Sequence, residues 1–144
     1  VKSIGNSALS GCRSLSSITL PDSITDIGDS VFYGCRSLKN MTIPNSIASI
    51  GKATFYGCEN LISVSIPSSV TTIGKYAFYG CKRMKGSFFV PDGMNEIPSG
   101  IYGDCQSLTG NVIIPNSVTN IQSSAFKNCA GITSVTMPAT ITFD

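Results

Sequence analysis

One stretch returns almost unchanged along the chain, and that repetition constrains the fold more than any other feature. Residues 15–36 read LSSITLPDSITDIGDSVFYGCR, residues 38–59 read LKNMTIPNSIASIGKATFYGCE and residues 61–82 read LISVSIPSSVTTIGKYAFYGCK. A fixed period of this size marks a stacked architecture, because one unit cannot bury its apolar face alone and neighbouring units must cover it. The cysteines set the step: Cys12, Cys35, Cys58, Cys81, Cys105 and Cys129 lie 23, 23, 23, 24 and 24 residues apart. Full units therefore run 13–35, 36–58, 59–81, 82–105 and 106–129, between partial units at 1–12 and 130–144, in one domain over residues 1–144. The chain lacks an initiating Met and both starts and stops in mid-repeat, so it is expected to be a mature or excised piece of something longer.

Within a unit two periodicities separate. Ile18-Thr19-Leu20, Met41-Thr42-Ile43, Val64-Ser65-Ile66 and Val135-Thr136-Met137 alternate apolar with small polar residues, the pattern of a short half-buried strand. The proline that follows has no N–H to donate and ends the ladder. A second apolar pair, such as Ile24/Ile27 or Ile47/Ile50, predicts a second short strand or an extended arm. Residues 29–35 (DSVFYGC) are too few for an isolated helix and end at Gly34, which predicts a helical or 3₁₀ turn held by packing. Stacking places like residues in columns: Phe32, Phe55, Phe78, Tyr102 and Phe126 in one, Leu15, Leu38, Leu61, Met84, Leu108 and Ile132 in another. The two longer steps each carry one extra residue, Gly86 and Gly110, as a bulge ahead of a strand would require.

The pattern L-x-x-I-x-L-P-x-S-I-T-x-I-G-x-x-x-F-x-x-C, carried by residues 15–35 and the units after them, resembles the BspA-like class of leucine-rich repeat. The resemblance implies a leucine-rich repeat solenoid of about six repeats: right-handed parallel β coils joined by short helical or 3₁₀ turns, with a parallel sheet on the concave face. It also implies export to a cell surface, or secretion, and use in adhesion. Tyr102 departs from the pattern where Phe is usual, and Gln122 where Gly follows Ile.

Chemistry is sparse. No His is present, which removes the commonest general base and the Ser-His and Cys-His pairs. The eight carboxylates, Asp22, Asp26, Asp29, Glu59, Asp92, Glu96, Asp104 and Asp144, form no pair assignable to one cleft. The glycines are spread along the coils rather than clustered before a helix, so no phosphate loop, no cofactor site and no catalytic residue is expected. Cysteines one coil apart lie in register, with Cβ atoms near the 4.8 Å strand spacing rather than the roughly 3.8 Å of a disulfide. They are expected to be reduced, buried and without metal. A net charge of +2 provides no field for nucleic acid, and no apolar run approaches a membrane span.

What remains is binding. The middle strand position reads Thr19, Thr42, Ser65, Phe89, Ile113 and Thr136, with its two large apolar members in the units that carry the extra glycines. Either Phe89 and Ile113 form an exposed patch rimmed by polar residues, or the bulge turns one of them inward. Tyr33, Tyr56 and Tyr79 either grip a sugar or protein on the outer side or shield the turn beneath them. Lys82, Arg83 and Lys85 form a basic cluster, and Asn40-Met41-Thr42 is a glycosylation-type sequon. The chain therefore reads as a non-catalytic interaction or adhesion module, secreted or at a cell surface, for a protein, extracellular-matrix or glycan ligand. A spacer solenoid without a ligand is the alternative, and the uncapped ends leave self-association open.

Overall fold

Residues one unit apart pair with one another, and this registry builds the whole molecule. A computed structural model describes residues 2–144; Val1, assigned to the first partial unit, lies outside them. The chain winds as a parallel β-solenoid of about six turns. The full units are numbered here as coils 1 to 5, from residues 13–35 to residues 106–129.

Each coil offers two short extended segments. The first forms the strand face, with β3 (Asn40–Thr42) paired to β5 (Ser63–Ser65) and β8 (Gly110–Ile113) paired to β10 (Ile132–Thr136). The second, left open above as strand or arm, is a strand of two residues. These are β1 (Ser3–Ile4), β2 (Asp26–Ile27), β4 (Ser49–Ile50), β6 (Thr72–Ile73), β7 (Glu96–Ile97), β9 (Asn120–Ile121) and β11 (Thr142–Phe143). Registers such as Met41 opposite Val64 and Ile50 opposite Ile73 are offset by one repeat, so equivalent side chains superpose. Residues 17–20 of coil 1 and 87–90 of coil 4, both expected as strands, are extended but form no ladder.

The expected helical or 3₁₀ turn is not there. Residues 30–34 form consecutive turns in which Tyr33 N–H bonds Ser30 O at 3.2 Å and Cys35 N–H bonds Phe32 O at 3.0 Å. The intervening N–H groups of Ser30, Phe32 and Gly34 donate to Lys52, Thr54 and Tyr56 of the next coil at 2.7–2.9 Å. The same alternation recurs in every coil through 100–104, where Tyr102 N–H donates to Ala125 O. A helix would spend all its N–H groups locally, whereas this arrangement gives half of them to the neighbour and so ties the coils together. Left-handed residues at both ends of the segment make it possible: Ser30 at φ 56° and Gly34 at 68° in coil 1, Asp104 and Asn128 taking over the glycine position later.

The core is the stack of like residues. Phe32, Phe55, Phe78 and Tyr102 lie with ring centroids 5.4 Å apart and interplanar angles of 10° or less. Leu38, Leu61, Met84 and Leu108 form the parallel apolar column, all buried. Gly86 and Gly110 are the two extra residues and adopt φ of +107° and +102°, a region glycine enters without steric cost. Gly110 pairs with Ile132, and the β8–β10 register slips between Ile132 and Ser134, leaving Thr133 of β10 as the unpaired residue.

Tyr102 has a specific reason to differ from its phenylalanine column. In coil 4 the Phe89 carbonyl lies within reach of the ring column, and the Tyr102 hydroxyl donates to it at 2.6 Å. A phenylalanine there would leave that carbonyl without its bond in a buried setting.

Candidate functional site

The strand face presents two outward columns. Thr19, Thr42, Ser65, Ile113 and Thr136 are all exposed, as the alternation of the strands requires. Ile113 is 64% exposed, a large apolar side chain paired in register with Thr136 of the next coil. Two residues before each lies a second column missed in the sequence: Asn40, Ser63, Asn111 and Ser134. These link side chain to side chain across coils, Ser63 Oγ to Asn40 Oδ1 at 2.7 Å and Ser134 Oγ to Asn111 Oδ1 at 2.9 Å. The same period of two that selects Thr42 also selects Asn40, so the signal was present. Asn40, the sequon residue, is thereby exposed but already hydrogen-bonded.

Phe89 does not stand free beside Ile113. It is half-buried and packed against the core, with Phe88 beside it 8% exposed and edge-on to Tyr102 and Phe126 at 5.6 and 5.7 Å. Residues 87–90 form no strand ladder, whereas Ile113 lies in β8, paired with β10. Phe89 instead lines a slot of 290 Å³ between coils 3 and 4, together with Val64, Met84, Lys85, Phe88 and Tyr102. The exposed apolar feature of the face therefore narrows to Ile113.

The six cysteines are unbridged, and five are buried. From Cys58 onward each Sγ donates to the carbonyl of the ring column one coil earlier, Cys58 to Phe32 and Cys81 to Phe55 at 3.1 Å. Burial pushes the Cys58 thiol up to about 12 and the Cys129 thiol up to about 11. Near pH 8, a thiol reagent is expected to find one fast group, the half-exposed Cys12, in native protein and all six after denaturation. Fewer than six in denatured protein would mean bridged cysteines. The unfolded chain loses thiol protons from its ordinary value of 9.0 upward, whereas the folded chain keeps them. Stability therefore falls as pH rises from 9 toward 12.

The sequence profile of the BspA type leucine rich repeat region matches residues 1–109 and 84–143, in six copies. The chain belongs to the BspA-type leucine-rich repeat family. Among curated proteins there is no significant match. A crystal structure of a leucine-rich repeat protein from Bacteroides ovatus is similar over 100% of the chain, at 28% identity and a TM-score of 0.76. The chain spans 43% of that protein. A Treponema pallidum leucine rich repeat protein is similar at 25% identity and a TM-score of 0.66, covering 89% of this chain and 70% of the other. A leucine rich cell surface protein from Faecalibacterium prausnitzii shares the fold at 18% identity and a TM-score of 0.51, over 94% of this chain and 69% of that one.

The remaining surfaces of this BspA-type chain are spoken for to different degrees. Tyr33, Tyr56 and Tyr79 stack at 4.8 and 5.2 Å, and Tyr76 meets the last two edge-on. The Tyr79 ring lies over Gly103, where a Cβ would come within 2.4 Å of it, so the column packs on the next coil. In the basic cluster, Arg83 donates to Asn60 Oδ1 at 3.1 Å, while Lys82 and Lys85 stay exposed. Among the described residues no three His, Cys, Asp or Glu side chains come together as a metal site, and no helix is long and apolar enough to cross a membrane.

Proposed function

We propose that this segment is a non-catalytic protein-interaction or adhesion module of a secreted or cell-surface protein, binding an extracellular protein, matrix or glycan ligand through its strand face. The observation that carries the reading is Ile113: a side chain 64% exposed in a column whose other exposed members are threonine and serine. Leaving an isoleucine in water gains nothing for the fold, while a partner that covers it gains the burial. The family and the cell-surface relative support the same compartment.

Ile113→Ser is expected to weaken binding to an immobilised panel of extracellular-matrix proteins and glycans by at least about tenfold, the effect of removing an apolar anchor. Its stability should change by less than about 1 kcal/mol, as at other exposed positions. Surface plasmon resonance with a parallel urea melt reads both. If no panel member binds, or if Ile113→Ser binds as wild type does, the spacer reading replaces this one.

A further inference from the structure

We propose that the slot between coils 3 and 4 binds a small apolar monocarboxylate, a single anion carried on an aromatic or branched aliphatic body. The inference goes beyond the strand-face reading, since Ile113 does not line the slot.

The slot lies where both sheets part, between coils 3 and 4. β5 pairs with β3 but not with residues 87–90, and β6 pairs with β4 but not with β7. The coils nevertheless remain joined. Lys85 N–H bonds Ile62 O at 2.9 Å on one side, and the turn ladder continues on the other, with Phe78 N–H on Ile101 O at 3.0 Å. A strand therefore has no room to insert, whereas a compact molecule has. The volume of 290 Å³ lies at the lower end of small-molecule sites, roughly 300–1,000 Å³.

The walls state the chemistry. Val64, Phe78, Met84, Phe88, Tyr102 and Leu108 supply apolar surface, and Lys85 is the one charged residue among the lining groups. The Tyr102 hydroxyl is already committed to the Phe89 carbonyl. Ser63 N–H and Ser65 O bond toward coil 2, so the alternation of a parallel ladder turns the Val64 N–H toward the slot. No backbone bond from Val64 reaches coil 4 among the described residues. One cation and one free amide donor at the edge of an apolar cleft suit a carboxylate attached to an apolar group. The sheets also part between coils 1 and 2, but that groove sets Ile18, Leu20, Met41 and Pro44 beside Asp22 and carries no cation. The apolar wall and the lysine occur together at coils 3 and 4.

The test is calorimetric titration of the whole chain with 4-phenylbutyrate, beside 4-phenylbutanol and 4-phenylbutylamine. The acid is expected to bind with Kd between about 10 μM and 1 mM. Lys85→Met should weaken the acid at least about tenfold and leave the alcohol unchanged, because it keeps the aliphatic stem and removes only the charge. Ser87→Trp, at an exposed lining position, should block all binding while its thermal melt stays that of wild type. The proposal is overturned if the acid does not bind up to about 10 mM, or if the amine binds as well as the acid. It is also overturned if either variant binds the acid as wild type does, or if only a peptide ending in phenylalanine binds. None of these results bears on Ile113, so the strand-face reading stands or falls separately.

Discussion

Phe55→Ala is expected to lower the stability of the chain by about 3–5 kcal/mol, the range for removing a fully buried ring. Phe55 is an interior ring of the aromatic column, 0% exposed, with Phe32 and Phe78 stacked on its two faces at 5.4 Å. Deletion removes two ring contacts at once and leaves a void whose walls cannot collapse. The backbone at this position is held from both sides, since Phe32 N–H donates to Thr54 O and Phe55 N–H to Ala77 O. In a solenoid stability is close to a sum of coil and interface terms, so a defect in the middle also uncouples the two halves. A urea titration read by circular dichroism should show a lower midpoint and a broadened transition. Phe126→Ala supplies the comparison: Phe126 is half-buried and stacks at 6.2 Å on Tyr102, so its loss should cost less. Equal losses at the two positions, or a loss below about 1 kcal/mol at Phe55, would show that the column does not hold the coils together.

The columns were legible in the sequence because translation by one repeat fixes them without any further geometry. Leu38 over Leu61, and Phe55 over Phe78, follow from counting 23 residues. Conformation inside the turn did not follow from counting. Residues 29–35 carry apolar spacing compatible with a short helix, and only the demand of the next coil for every second N–H excludes it. That demand comes from a neighbour in space. The extra glycines were legible as insertions, yet the surroundings of the side chains that follow them were not. Phe89 is half-buried, whereas the equivalent Ile113 after Gly110 stays exposed: β8 is paired with β10, and residues 87–90 form no ladder. Tyr102, which in the sequence is a departure from the family pattern, is the donor to the Phe89 carbonyl in that unladdered segment. Its cause lies thirteen residues away, in a carbonyl whose direction no spacing encodes.

The second large effect belongs to a residue with no side chain. Gly74→Ala is expected to cost about 3 kcal/mol, the upper part of the usual range for overpacking. A Cβ there would lie 2.6 Å from Lys52 N, 2.8 Å from Gly51 C and 2.9 Å from Lys52 Cα, all backbone atoms of the preceding coil. A flexible side chain could swing away from such a contact, but these atoms cannot. Gly74 N–H is bonded to Ile50 O at 2.8 Å, and moving the strand apart to make room breaks that bond. Gly28 and Gly51 stand at the same place in the coils before it, so the Ile-Gly pair marks a line of closest approach between coils. Pro98 and Gln122 occupy the next two positions, Pro98 where β6 and β7 do not pair. Gln122 N–H bonds Ile97 O at 2.9 Å, and its Oε1 accepts from the Ser99 N–H and hydroxyl at 3.1 Å. Gln122→Ala should therefore cost only about 1 kcal/mol, the net value of a lost hydrogen bond. Chemical denaturation of both variants separates the alternatives: a Gly74→Ala loss no larger than that of Gln122→Ala would mean that the coils can separate freely at this line. The larger loss would identify backbone contact, rather than side-chain packing alone, as what sets the spacing of coils 2 and 3.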